Sequence, residues 1–322
     1  MPTLLLALDG SLEAEAAVPS AVELASARGF TLELVTVVPP AVDLRTVSGA
    51  PVPDASWRAE QQVPLRAAAR EYLAEVRRAV LAHHATLSVS TAVLDGAPAP
   101  TLAAHARDVS ATALMLTTHG RGGASRLWLG SVADALVRQA EVPVFFVRSP
   151  DREQGGLDTP APVAQSVATS LQTHRPALSR VMVTFDGTCA ADAVMAPVRT
   201  LLGDTTHYVL TRVASPLHPM LRRIATASEY ERDLAEQEHR AATYLAEQAT
   251  TLRAAGVACE LRVPVGMDTA TLIIEHATQC GVGLIALATH ARGPLGRALL
   301  GSVADKVLRS ATVPVLLYRL AR

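Results

Sequence analysis

Residues 114–148 read LMLTTHGRGGASRLWLGSVADALVRQAEVPVFFVR, and residues 284–319 read LIALATHARGPLGRALLGSVADKVLRSATVPVLLYR. In the first copy a short apolar run, 113–118, stops where the glycines begin, as a parallel strand covered on both faces does. A Gly-rich loop over 119–129 leads to a helix opening at Gly130-Ser131, and a last strand follows Pro143. Gly130 allows a tight entry or a close backbone approach, and Ser131 can cap the helix. The N–H groups of the first helical turn and the positive end of its dipole then meet at the C-terminal edge of a parallel strand, where a phosphate is readily held.

The rest of the chain reads as two copies of a domain built around this unit. Asp9-Gly10-Ser11 returns as Asp186-Gly187-Thr188, Gly96 as Gly266, Thr118-His119 as Thr289-His290, Gly130-Ser131 as Gly301-Ser302, and Pro143 as Pro314. The offset is constant from Thr118 onward, with small length changes before it, which is the mark of duplication. A length of 322 residues suits two domains of about 150 residues each. The expected boundaries are 1–148 and 179–322. Between them, 149–178 is rich in Pro, Gln, Thr, Ser and Gly and is expected to be a linker without a helical stripe.

Composition excludes several classes of function. Apolar residues make up 49% of the chain but aromatics only 3%, so the cores are filled by Leu, Val and Ala. A net charge of −1 makes no electrostatic case for nucleic acid or an anionic membrane. Cys189, Cys259 and Cys280 lack CxxC spacing and are odd in number, which suggests neither a disulfide framework nor a zinc site. The opening MPTLLLALDG has no basic n-region and reads as a first strand, and no apolar run reaches bilayer-spanning length, so a cytoplasmic protein is expected. The lone lysine, Lys306, lies outside the loops, and a Walker A phosphate loop is thereby excluded.

In chain order the first half predicts strands at 3–8, 31–38, 87–93, 113–118 and 144–148. Helices are predicted over 12–28, ending at Gly29, over 57–83, interrupted or entered at Pro64, over 98–107 and from 130, with a surface loop at 41–56. The second half repeats the plan, with strands at 180–185, 207–213, 257–263, 284–288 and 313–318, a long helix over about 220–255 and another over 268–280. Alternating strands and helices with right-handed crossovers give an α/β fold of two doubly wound, five-stranded parallel sheets of order 3-2-1-4-5. In that order the ligand crevice lies between the ends of the first and fourth strands. Asp9 stands at one side and Thr117 to Gly120 at the other. A carboxylate facing a phosphate loop suits a nucleotide, with the acid on a ribose hydroxyl or the adenine amine; equally, Asp9-Gly10-Ser11 turns the chain and caps the first helix.

On the DGS/T strand ends, the THGRGG loop, the LLGSVAD-type helix start and the VPV final strand, the chain resembles a tandem universal stress protein. The resemblance implies an ATP-binding motif G-x2-G-x9-G-[ST], which falls on Thr117, Gly120, Gly130 and Ser131, with Val132 following. In the second half it falls on Ala288, Ala291, Gly301 and Ser302, followed by Val303. The family's base and ribose contacts fall on Ala7, Asp9 and the Val37 backbone, and on Thr184, Asp186 and Val213. One motif glycine is replaced in the first half and two in the second, and a Cβ hinders close approach of backbone to phosphate. The first half is therefore expected to be the stronger site. His119 and His290 have no identifiable serine, cysteine or orienting acid. Arg121, Arg126, Arg292 and Arg297 read either as phosphate partners or as solvated loop residues. The implied function is adenine-nucleotide binding in stress response, with ATP as ligand, with or without Mg2+, no catalytic residue and no metal ligand. The alternatives are a scaffold that has lost nucleotide binding and a slow ATPase. The apolar final strands imply that the two halves pair as an intramolecular pseudo-dimer, and homodimers of the chain are a further expectation.

Overall fold

The computed structural model of the protein describes residues 1–40, 55–118, 129–149, 163–174, 176–188, 194–216, 226–290 and 300–320. The described residues up to 174 make one compact unit, and those from 176 onward make a second.

The first unit starts with β1 (Thr3–Ala7), whose Leu4, Leu5 and Leu6 are fully buried, because helices cover both faces of the sheet. The single helix expected over 12–28 is two. α1 (Leu12–Glu15) stops, and α2 (Val18–Arg28) restarts with Pro19 in its first turn. A proline in mid-helix would lose its bond to the Glu15 carbonyl and push its ring against it, whereas the first turn accepts it. Gly29 ends α2 with φ 65°, a left-handed conformation suited to glycine, with its N–H on the Ala25 carbonyl.

β2 (Thr31–Val38), α3 (Ala55–His83), β3 (Val89–Asp95), α4 (Pro98–Asp108), β4 (Ala113–Thr117), α5 (Ser131–Gln139) and β5 (Val144–Val147) follow. α3 runs through Pro64 without a break. The loop expected at 41–56 lies outside the described residues up to 54, and 55 and 56 open α3. All the strand pairs in this unit are parallel, in the order β3-β2-β1-β4-β5.

The segment expected to be a helix-free linker contains a helix, α6 (Val163–Thr173), which packs on α1, α2 and α3. Val163, Val167 and Leu171 recur every four residues, and Val167 is fully buried. Three turns of helix are marginal in isolation, so docking on the first unit is what holds them. The His174 ring nitrogen Nε2 stands 2.7 Å from Glu23 Oε2 on α2, and Gln172 Nε2 lies 3.4 Å from His83 Nε2 at the end of α3.

The second unit repeats the plan with β6 (Arg180–Thr184), α7 (Met195–Leu202), β7 (His207–Thr211), α8 (Ala227–Ala254), β8 (Cys259–Arg262), α9 (Thr269–Gln279), β9 (Leu284–His290), α10 (Ser302–Ser310) and β10 (Val315–Leu320). Its parallel order is β8-β7-β6-β9-β10. Thr226 and Glu229 form a capping box that sets the start of α8: the Glu229 N–H donates to Thr226 Oγ1, and the Thr226 N–H donates to Glu229 Oε2 at 2.7 Å.

Candidate functional site

Since every strand of a unit runs the same way, the C-terminal ends of β1, β2 and β4 share one edge. β1 lies between its two neighbours, so the strand order reverses beside it. At this edge β1 runs out at Ala7, and the Leu8 N–H makes one more bond, to the Val35 carbonyl at 2.8 Å. In a parallel ladder the N–H and C=O of one residue point to the same side, and alternate residues share a side. The Val35 carbonyl faces β1, so the N–H and C=O of Val37 face that side too, beyond the point where β1 has ended. Thr36 turns back, its Oγ1 donating to the Leu8 carbonyl at 2.9 Å.

Asp9 is exposed at this edge. Its Oδ1 accepts from the Ser11 N–H at 3.0 Å and from the Ser11 hydroxyl, while Ser11 Oγ accepts from the Ala14 N–H at 3.1 Å and caps α1. Gly10, with φ 79°, supplies the left-handed turn between them. The turn-and-cap role is therefore present. Both of its bonds fall on one carboxylate oxygen, and among the described residues Oδ2 has no hydrogen-bond partner. Asp186 repeats the turn, its Oδ1 accepting from the Thr188 N–H at 2.8 Å and hydroxyl at 2.7 Å.

Across the crevice, Thr117 and Thr118 are buried at the end of β4. The Thr118 carbonyl accepts from the Gly130 N–H at 2.8 Å, which ties the start of α5 to the end of β4. Ser131 is not the cap it was expected to be. Gly130 takes the N-cap position with φ −57° and ψ 150°, no side chain caps the helix, and Ser131 is its first helical residue. The first-turn N–H groups of Ser131 and Val132 have no partner within the helix itself, which leaves them able to hold an anion. Gly301 caps α10 in the same way, with φ −61° and ψ 147°, ahead of Ser302 and Val303. Among the described residues, a Cβ at Gly301 would meet nothing within 4 Å.

Ala7, Asp9, Val37, Thr117, Gly130, Ser131 and Val132 thus gather at one edge of the first unit, and Thr184, Asp186, Val213, Ala288, Gly301, Ser302 and Val303 at the matching edge of the second. Gly120, Ala291, His119 and the four loop arginines lie outside the described residues, as does the side chain of His290. Among the described residues there is no group of three or more His, Cys, Asp or Glu that could hold a metal ion. No described helix is long and apolar enough to cross a membrane.

The sequence reading missed a cluster in the second unit. The Arg212 guanidinium carbon lies 4.8 Å from the centre of the Tyr244 ring, and Phe185 meets the same ring edge to face, at 5.8 Å and 68°. A Cβ added at Gly187 would overlap the Arg212 guanidinium, which therefore lies against the turn that follows Asp186. A signal existed in the text, since YLAE at 72–75 returns at 244–247.

Two doubly wound parallel sheets in one chain, each with an acid at the end of its first strand and a helix start without a side-chain cap across the switch point, define a tandem α/β protein. The universal stress protein family matches residues 1–148 and 179–319, and the chain belongs to that family. It is 27% identical over 312 residues to the universal stress protein Rv2005c of Mycobacterium tuberculosis, covering 97% of this chain and 95% of the relative. It is 32% identical over 161 residues to a universal stress protein of Staphylococcus epidermidis, a match that covers 49% of this chain and 92% of the relative. The solved structure of a universal stress protein from Archaeoglobus fulgidus shares the fold, with a TM-score of 0.62, 16% identity and 98% of both chains covered.

Proposed function

We propose that the first unit binds an adenine nucleotide, ATP, at the edge where β1, β2 and β4 end, and that occupancy of this site is the signal the protein carries in stress response. The observation that carries the reading is the convergence there of three unlike groups. The Val37 N–H and C=O form a donor–acceptor pair matched to the adjacent acceptor and amine of an adenine. The exposed Asp9 carboxylate has an oxygen left for a ribose hydroxyl. The uncapped start of α5 at Gly130, Ser131 and Val132 suits the phosphates. Gly120, placed by the motif in the loop before α5, would bring backbone to the same phosphates, and Mg2+ would enter on the phosphates rather than on protein carboxylates. Pairing of the two units as a pseudo-dimer, and of chains as homodimers, belongs to the same proposal as the means by which occupancy reaches a protein partner.

Calorimetric titration of nucleotide-free protein with ATP, ADP, AMP and cyclic AMP tests it. Saturable ATP binding that Asp9→Asn weakens is the expected result. A chain that binds none of the four, and carries no nucleotide when freshly purified, is a scaffold. ATP turnover above that of heat-killed protein would establish the slow ATPase instead.

A further inference from the structure

The backbone bonds align the two crevices residue by residue. Leu8 N–H to Val35 C=O corresponds to Phe185 N–H to Thr211 C=O, and Gly96 N–H to Val38 C=O corresponds to Gly266 N–H to Ala214 C=O. Thr36 of the first unit therefore occupies the position of Arg212 in the second. The two YLAE copies make Tyr72 the counterpart of Tyr244. The tyrosine is common to both units, and the residue at the position of Arg212 is not. Thr36 is short, buried and bonded back to the Leu8 carbonyl, which leaves the space over the Asp9-Gly10 turn clear of its side chain. Arg212 is long, and its planar guanidinium lies on Gly187 and against the Tyr244 ring.

We propose that Arg212 is a built-in plug that closes the second crevice to adenine nucleotides. The inference rests on the nucleotide reading of the first unit. A nucleotide held by the Asp186 carboxylate and the Val213 backbone would have to cross the face of Gly187, and the guanidinium fills that face. Two contacts hold the plug in place: the cation lies against the π face of Tyr244, and Phe185 fixes that ring from its edge. Gly187 serves the arrangement twice. Its φ of 84° makes the turn, and its missing Cβ is the room in which the guanidinium sits. Arg212 is thus the residue that makes the duplicated chain asymmetric, whatever the second loop contributes through Ala288 and Ala291.

The test exchanges the two residues and counts ATP equivalents by calorimetry, with circular dichroism to confirm that each chain is folded. Wild type should bind one ATP per chain. Arg212→Thr should bind two, and Thr36→Arg, which places an arginine opposite Tyr72, should lose the first at least ten-fold in affinity. Two equivalents in wild type, a folded Arg212→Thr chain that still binds one, or a Thr36→Arg chain with wild-type affinity would each overturn the plug. Should Arg212→Thr fail to fold, the Thr36→Arg titration decides alone. If wild type binds nothing while Arg212→Thr binds one equivalent, the plug stands and the assignment of the first unit falls. If no chain binds ATP, both fall.

Discussion

The two carboxylate oxygens of Asp9 allow its turn with Ser11 to be separated from the proposed nucleotide contact. Oδ1 closes the turn with Ser11, so Asp9→Asn, which keeps an oxygen there, should preserve the fold and α1 while weakening ATP binding by about 1.5–3 kcal/mol, the usual worth of a hydrogen bond to a charged group. Ser11→Ala removes the cap of α1 and should cost about 1 kcal/mol of stability instead, visible in denaturant unfolding. Equal ATP affinity in Asp9→Asn and wild type would remove the carboxylate from the site. In the second unit Asp268 is held at a pKa of about 2, below the ordinary 3.8, first by its hydrogen bond from Lys306 and then by the N–H and hydroxyl of Thr271. A carboxyl whose folded pKa is depressed adds stability that is complete above its unfolded value and is lost as the pH falls from about 4 towards 2. Lys306→Met should raise the Asp268 pKa in an NMR titration but leave it below 3.8, because both Thr271 bonds to this helix cap survive. An unmoved titration curve would show that the lysine does not reach the acid in solution.

At the scale of elements, α6 is the clearest case of a helix made by its surroundings. Its eleven residues carry a narrow apolar stripe, and its neighbours are α1, α2 and α3. His174 and Glu23 fasten its C-terminal end to α2. His174→Ala should therefore loosen α6 without disturbing the sheet, so that amides of 163–173 exchange faster by mass spectrometry while those of β1 and β2 do not. Unchanged exchange in α6 would mean that burial of Val167 and its neighbours suffices. The restart of the chain as α2 has a more local origin, since it places Pro19 in the first turn, where the missing N–H costs no helical bond.

For the molecule as a whole, duplication supplies two crevices, and the proposed Arg212 plug would leave only the first of them open. If ATP binds the first unit alone, then at about 100 times its Kd it should stabilise that unit by about 2.7 kcal/mol. Protection from hydrogen exchange should then rise at β1, β2, β4 and α5 and stay level at β6, β7, β9 and α10. Equal protection in both units would show two working sites. Arg212→Thr should convert the first pattern into the second.

The sequence by itself determined the repeat, the parallel strands and the switch-point edge, because these rest on local apolar runs, glycine stops and the text of the second copy. Asp9 and the helix start at Gly130 and Ser131 could be put on one edge from strand order, whereas Val37 was reached through the family resemblance. Three matters were decided by tertiary structure. Ser131 gave up the cap to Gly130, a change of one residue in helix register that depends on the bond from Gly130 to Thr118. Residues 163–173 became a helix, because the surface that completes their apolar face comes from residues far away in the chain. Arg212 reads in the text as one more arginine at the end of a strand. Its place over Gly187 depends on a tyrosine some thirty residues later in the chain, on α8, and a contact of that kind leaves no trace in local periodicity.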